Sequence, residues 1–324
     1  MPHPFRAFGA ATLALIATVS TISFALGDTG WTSLPDLAVA RQEVAAVWLD
    51  GALYVVGGFG TGRETLSSAE RWREGASEWE RLPDMPVAVN HPAAVAIAGR
   101  LVVVGGFGGP GLQNPVDATQ VYDPATDAWS LAASLPTVRG ALAAAVVDDL
   151  VIAVGGARGG VSVAEVAAYD PVADAWTAWP DMPSARDHHA VAAVDGHLHA
   201  IGGRAAGDFT MATHEVYDLA AARWIEAPPM PTGRSGHAVA ALDGCLYALG
   251  GEGNQARTDG MFDQVERFVR ATGEWEQLPA MPVPRHGMGA VAVGGRLLVP
   301  AGATVAGFGA VAVADAFKPT PCAR

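Results

Sequence analysis

The chain has 324 residues, half of them hydrophobic, with 39 glycines and 22 prolines, and its 20 basic and 33 acidic side chains leave a formal charge of −13. That length and apolar content allow a large buried core, in one domain or two, and a charged fraction of only 16% excludes a disordered chain. The acidic balance excludes a nucleic-acid partner, which would need clustered cations for phosphate.

Residues 1–27 read as an export signal. A short start ending at Arg6 is followed by a long uncharged run, and Ala25 and Gly27 stand at −3 and −1 of a cut before Asp28. The mature chain is then 28–324, exported to a periplasmic or extracellular compartment. The run is about as long as a membrane span, so an uncleaved anchor is the alternative. No later run is long and apolar enough to span a bilayer.

The next piece, "GDTGWTSLP" at 27–35, resembles the later "TDAWSLAASLP", "ADAWTAWPDMP" and "TGEWEQLPAMP". In those later copies a strand-like segment with an aromatic residue precedes the tryptophan, but Trp31 has none. From residue 51 a repeat is visible: "GALYVVGG", "GRLVVVGG", "DLVIAVGG", "GHLHAIGG", "GCLYALGG" and "GRLLVPAG", whose second-last residues are 57, 105, 155, 202, 250 and 301. Each unit predicts four strands. First comes a small apolar strand. A two-residue turn such as Asp50-Gly51, Asp195-Gly196 or Asp243-Gly244 follows, with the chemistry of a type I′ hairpin. The second strand ends in Gly-Gly, and a loop leads to a third that ends in an aromatic: Trp72, Tyr122, Tyr169, Tyr217, Phe268. A tryptophan always comes seven residues later, across turns such as "DPATD".

A four-stranded unit of this length with a double glycine and later aromatic and Trp resembles the kelch repeat, whose units are propeller blades. The resemblance covers essentially all of 28–324 and implies an all-β fold, a six-bladed kelch-type β-propeller. Ala301, Asp149 and His199 depart from the pattern. The sixth unit stops after Phe317-Lys318-Pro319, before any tryptophan strand. The segment around Trp31 is expected to supply that strand and close the ring, removing the free sheet edges.

Arginine opens five of the six first strands, at Arg41, Arg139, Arg186, Arg234 and Arg285, with Val89 in the remaining unit. Loops on the same face add Arg63, Arg158, Arg204 and Arg257. One reading is an anion-binding funnel at the channel mouth, comprising Arg41, Arg139, Arg158, Arg186, His188, Arg204, Arg234, Arg285 and His286. The other is that the arginines bond carbonyls and acids such as Glu43, Asp187, Asp208 and Glu252 and lock neighbouring blades. A metal needs three or four ligands converging on one point, and repeat positions spread around a ring, so no metal or other cofactor is expected. Cys245 and Cys322 either pair, as an oxidising compartment would allow, or leave a half-buried thiol at 245 and a frayed tail.

Three functions stay open. The first is an exported binding module, a monomer, that takes a protein or glycan ligand, an acidic one suiting the arginines, at the mouth. The second is an enzyme on an acidic sugar. Sialic acid mutarotases are similar exported kelch-like propellers with basic and acidic groups at the channel mouth, but the loops here are short. The third is a structural envelope protein without a ligand. A galactose-oxidase-like radical site is excluded: all five tyrosines occupy repeat positions, with no cysteine placed to crosslink one. Catalytic residues are therefore not assigned. No Ser/His/Asp spacing or phosphate loop appears either.

Overall fold

The computed structural model describes Met1 and residues 30–322; the segment 1–27, expected to be an export signal, lies, apart from Met1, outside the described residues. Six four-stranded antiparallel sheets follow one another along the chain. Their innermost strands are Ala45–Leu49, Ala93–Ile97, Ala143–Val147, Ala190–Val194, Ala238–Leu242 and Val291–Val293. Consecutive inner strands touch, and the first also touches the last, so the six blades form a ring. No helix of the described residues is long and apolar enough to cross a membrane.

The hairpin between the first two strands has both turn residues at positive φ in every blade, from Asp50 and Gly51 (48° and 77°) to Gly294 and Gly295 (56° and 73°). Even Asp149, where the other blades have glycine, takes the left-handed conformation at 63°. This matches the twist of the flanking strands. The second strands are buried on both faces and form the core with the third-strand aromatics, of which Tyr122 and Phe317 are almost wholly enclosed.

The ring closes through the N-terminus. Trp31–Ser33 is the outer strand of the sixth blade, with Trp31 opposite Phe317 and Ser33 opposite Asp315. The Trp31 and Phe317 rings stack with centroids 4.7 Å apart. Each outer-strand tryptophan also latches its blade to the preceding one. Its indole N–H donates to a carbonyl there: Trp79 to Pro35, Trp129 to Pro83, Trp176 to Ala133, Trp224 to Pro180, Trp275 to Pro228 and Trp31 to Pro279. The tryptophan beat in the sequence is therefore an inter-blade fastening.

Cys245 and Cys322 are joined as a disulfide with Cα atoms 6.3 Å apart, across 77 residues of chain. The tail that carries Cys322 is held by Arg267, which donates to the Thr320 and Pro321 carbonyls at 2.7 and 3.3 Å.

Candidate functional site

The repeated arginines do not line the mouth. Arg41, Arg139, Arg186, Arg234 and Arg285 are at most 1% exposed. Each is paired with a carboxylate near the start of its blade's third strand: Glu70 (2.6 Å), Glu165 (3.0 Å), Glu215 (2.9 Å), Glu266 (2.5 Å) and Asp315 (2.8 Å). Four of them also donate to a carbonyl of the second strand, at Ala153, Ala200, Ala248 and Val299. The expected funnel is corrected at these five positions. The guanidiniums fasten the inter-blade connections to the sheets and are buried out of reach of a ligand at the mouth.

The second blade supports this assignment. It has Val89 for arginine and Gln120 for the acid, and the Gln120 amide bonds Val87 N and O instead. Cation and anion are lost together. A sequence signal existed: the acid or its replacement stands two residues before the third-strand aromatic in five blades (70/72, 120/122, 215/217, 266/268, 315/317). The third blade has Ala167 there and uses Glu165, which is also shared with the half-exposed Arg158 at 2.5 Å. Of the acids expected to lock blades, none pairs with these five arginines, but Asp187 and Glu252 both pair with the loop residue Arg204.

The neck of the channel is built by one residue per blade, two positions after the arginine site: Glu43, His91, Ala141, His188, Gly236 and Gly287. All six take positive φ, between 50° and 63°. Their backbones join in a circle. His91 N donates to Glu43 O, Ala141 N to His91 O, His188 N to Ala141 O, Gly236 N to His188 O and Gly287 N to Gly236 O, all at 2.8–3.0 Å, and Val44 N closes the circle on Gly287 O at 3.2 Å. This ring is narrow enough for side chains from separate blades to meet. Glycine at 287 leaves the necessary space, since a Cβ there would come within 2.6 Å of the Glu43 carboxyl. The expectation that repeat positions are too spread to converge is therefore corrected: one ligand atom from each of Glu43, His91 and His188 lies within 4.8 Å of the others.

Around this trio the charges are mixed. Glu43 lies 3.2 Å from His91 Nε2 and 3.0 Å from His286 Nδ1. Arg204 donates through Nε to Asp187 at 2.9 Å and lies 3.6 Å from Glu252. Asp187 is 2.5 Å from His188 Nδ1 and accepts from Ser162 at 2.5 Å. Burial pushes the His91 imidazole down to about 3, and Glu43 only partly offsets this. Burial also opposes ionisation of Glu43, but the surrounding histidines outweigh it and keep the carboxyl below its ordinary range. For His286, burial is outweighed by Glu43, so its pKa rises.

The trio separates two cavities. Below it the channel, about 240 Å³, has walls that include Ala46, Ala94, Ala144 and Ala290. Above it a cavity of about 170 Å³ is lined by Glu43, His91, His188, Arg204, Glu252 and His286, with Phe59, Leu112 and Phe308. This cavity shares Arg204, Glu252 and Gly307 with a groove of about 960 Å³ between the loops of the fourth, fifth and sixth blades. The groove carries the half-exposed Phe209, beneath the Arg204 guanidinium at 5.0 Å, and Arg257, which is paired with Asp259. Of the residues expected at the mouth, Arg204, His188 and His286 meet there, while Arg158 stands apart on the third blade. The other buried histidines are core packing. Burial depresses the pKa values of His189 and His237, that of His189 to about 3.

A ring of four-stranded blades with these latches defines a β-propeller built from repeats. The kelch motif is matched at residues 40–86, 89–136, 139–183, 185–231 and 233–282, and the chain belongs to the kelch-repeat family. The sixth blade, split between the two termini, falls outside those five matches. The chain is 41% identical over 56 residues to an F-box/kelch-repeat protein of Arabidopsis thaliana, a stretch covering 17% of this chain and 15% of that protein. The solved structure of YjhT superposes with a TM-score of 0.73 at 15% identity, covering 87% of this chain and 96% of YjhT. That likeness concerns the fold alone.

Proposed function

We infer that the protein is an exported binding module whose ligand sits at the mouth, in the groove between blades four to six and the cavity beneath it, and that this ligand is an acidic glycan. One observation carries this: Arg204, held by Asp187 and Glu252, is only partly buried and faces a groove that also presents an aromatic ring, Phe209. A guanidinium suits a carboxylate, and an aromatic ring with mixed donors and acceptors suits the faces and hydroxyls of sugars. The signal-like sequence expected at 1–27 and the paired cysteines support a location outside the cytoplasm. A glycan array probed with the purified mature protein tests the reading. Signals are expected on carboxylated glycans, with competition by the free acid sugar. Capture of protein partners with no glycan signal would replace the glycan with a peptide segment, and no binding of either kind would leave the structural envelope role.

A second reading has its own observation. Glu43 flanked by His91 and His286 in an enclosed cavity places acid and base groups side by side. An enzyme that isomerises an acidic sugar would use them. Acceleration of anomer exchange of sialic acid, followed by one-dimensional NMR and lost in Glu43→Gln, would favour it.

A further inference from the structure

We propose that the neck of the propeller binds one divalent first-row transition ion through the Glu43 carboxylate, His91 Nε2 and His188 Nε2. This goes beyond the mouth-ligand reading and does not depend on it.

The first support is the column of residues itself. The backbone circle forces a left-handed conformation on all six positions. Glycine adopts it freely and occupies two of them, while an ordinary side chain there is disfavoured by about 1–2 kcal/mol. The chain nevertheless has Glu43, His91 and His188 in that column, and their ligating atoms meet within 4.8 Å. Backbone strain at three side chains with one shared chemistry points to a use for that chemistry.

The second support is how the imidazoles are held. Metal-bound histidine usually donates its other ring N–H to a carboxylate or amide oxygen. His188 Nδ1 lies 2.5 Å from Asp187 Oδ1, and His91 Nδ1 lies 2.7 Å from Asn90 Oδ1. The Asn90 amide cannot be reversed, because its nitrogen donates to the Phe107 and Gly109 carbonyls and to the Thr65 hydroxyl. His91 Nδ1 is therefore the donor. Its Nε2 faces Glu43 Oε2 at 3.2 Å, and two lone pairs at that distance need a proton or a cation between them.

The third support is access. The trio lines the floor of the mouth cavity, so an ion can enter from that side and keep an open position towards it. Three protein ligands plus an open position is the arrangement of non-structural zinc sites. Tetrahedral bonds of about 2.0–2.1 Å require donor separations of about 3.4 Å, so the ion would draw the three groups inward. Arg204 NH2 now lies 3.2 Å from His188 Nε2. It would have to yield that contact, and its bond to Asp187 remains to hold it.

The test is titration of the chelator-stripped mature protein with Co²⁺, read by visible absorption, with displacement by Zn²⁺. One Co²⁺ per chain is expected. His91→Gln and His188→Gln should each weaken binding by more than the roughly 10–100-fold typical of outer-shell changes. The outer-shell variants Asn90→Ala and Asp187→Asn should fall within that range, and His197→Gln should be unaffected. Arg204→Gln should retain Co²⁺ while losing the mouth ligand, so the two readings can fail separately. If the histidine variants do not fold, imidazole NMR of the wild-type protein decides: the His91 and His188 signals must shift with Zn²⁺. Absence of Co²⁺ binding by the stripped wild type overturns the proposal. So does unchanged binding in both histidine variants, or a doubly protonated His91 whose signals do not respond to Zn²⁺.

Discussion

Two rings of polar side chains encircle the channel within a few residues of each other, and they differ in one respect. The arginine–acid girdle repeats: the same pair recurs in five blades, and where one partner is missing in the second blade, so is the other. The neck does not repeat. One backbone position carries Glu, His, Ala, His, Gly and Gly. In a repeat protein, chemistry required by every blade serves the architecture, whereas chemistry that appears in a few blades and breaks the column serves a site used once.

The comparison breaks most visibly if girdle substitutions are mild. Arg234→Ala leaves Glu266 buried without its partner and should lower stability by about 3–5 kcal/mol in urea unfolding; a loss as small as that of a surface substitution would remove the girdle's structural role. Cys322→Ser opens the bridge that ties the last blade's tail to the fifth blade and should cost about 2–4 kcal/mol, measured as a difference in unfolding free energy between non-reducing and reducing buffer for the wild type only.

The histidines sharpen it through pH. His189 has a folded-state pKa pushed down to about 3 by burial. Below its ordinary value of 6.5 the unfolded chain takes up a proton that the native protein refuses, so this group's contribution to stability is present above pH 6.5 and is lost as pH falls towards 3. Leu142 occupies the equivalent position in the third blade. His189→Leu should therefore flatten the acid limb of the stability curve by up to about 1.4 kcal/mol per pH unit. An unchanged slope would mean that His189 is not buried neutral. At the neck the informative effect is on binding: Glu43→Gln should abolish Co²⁺ binding, read by visible absorption, and should cost less unfolding free energy than Arg234→Ala because its amide can still bond the neighbouring histidines.

The blades, the turns and the closure through Trp31 were legible because each rests on local chemistry at a fixed spacing: a hairpin dipeptide, a glycine pair, an aromatic and a tryptophan seven residues on. The girdle was half legible. The arginines were visible as a column, but their burial depends on acids some thirty residues away, and an arginine in sequence reads as a surface group. The neck was hidden for a different reason. Glu43, His91 and His188 lie 48 and 97 residues apart, and only the backbone circle, which no side-chain pattern announces, brings them together. The one clue was that Gly236 and Gly287 share their column.

The most direct measurement pairs Arg204→Gln with Arg234→Gln and takes a thermal melt and an acidic-glycan array of each beside the wild type. The account predicts a crossover: Arg204→Gln melts with the wild type and loses the carboxylated glycans, while Arg234→Gln melts several degrees lower and, below its melting temperature, still binds them. Equal destabilisation by both variants, or glycan binding that survives in Arg204→Gln, would contradict the division between a repeated scaffold and an unrepeated site.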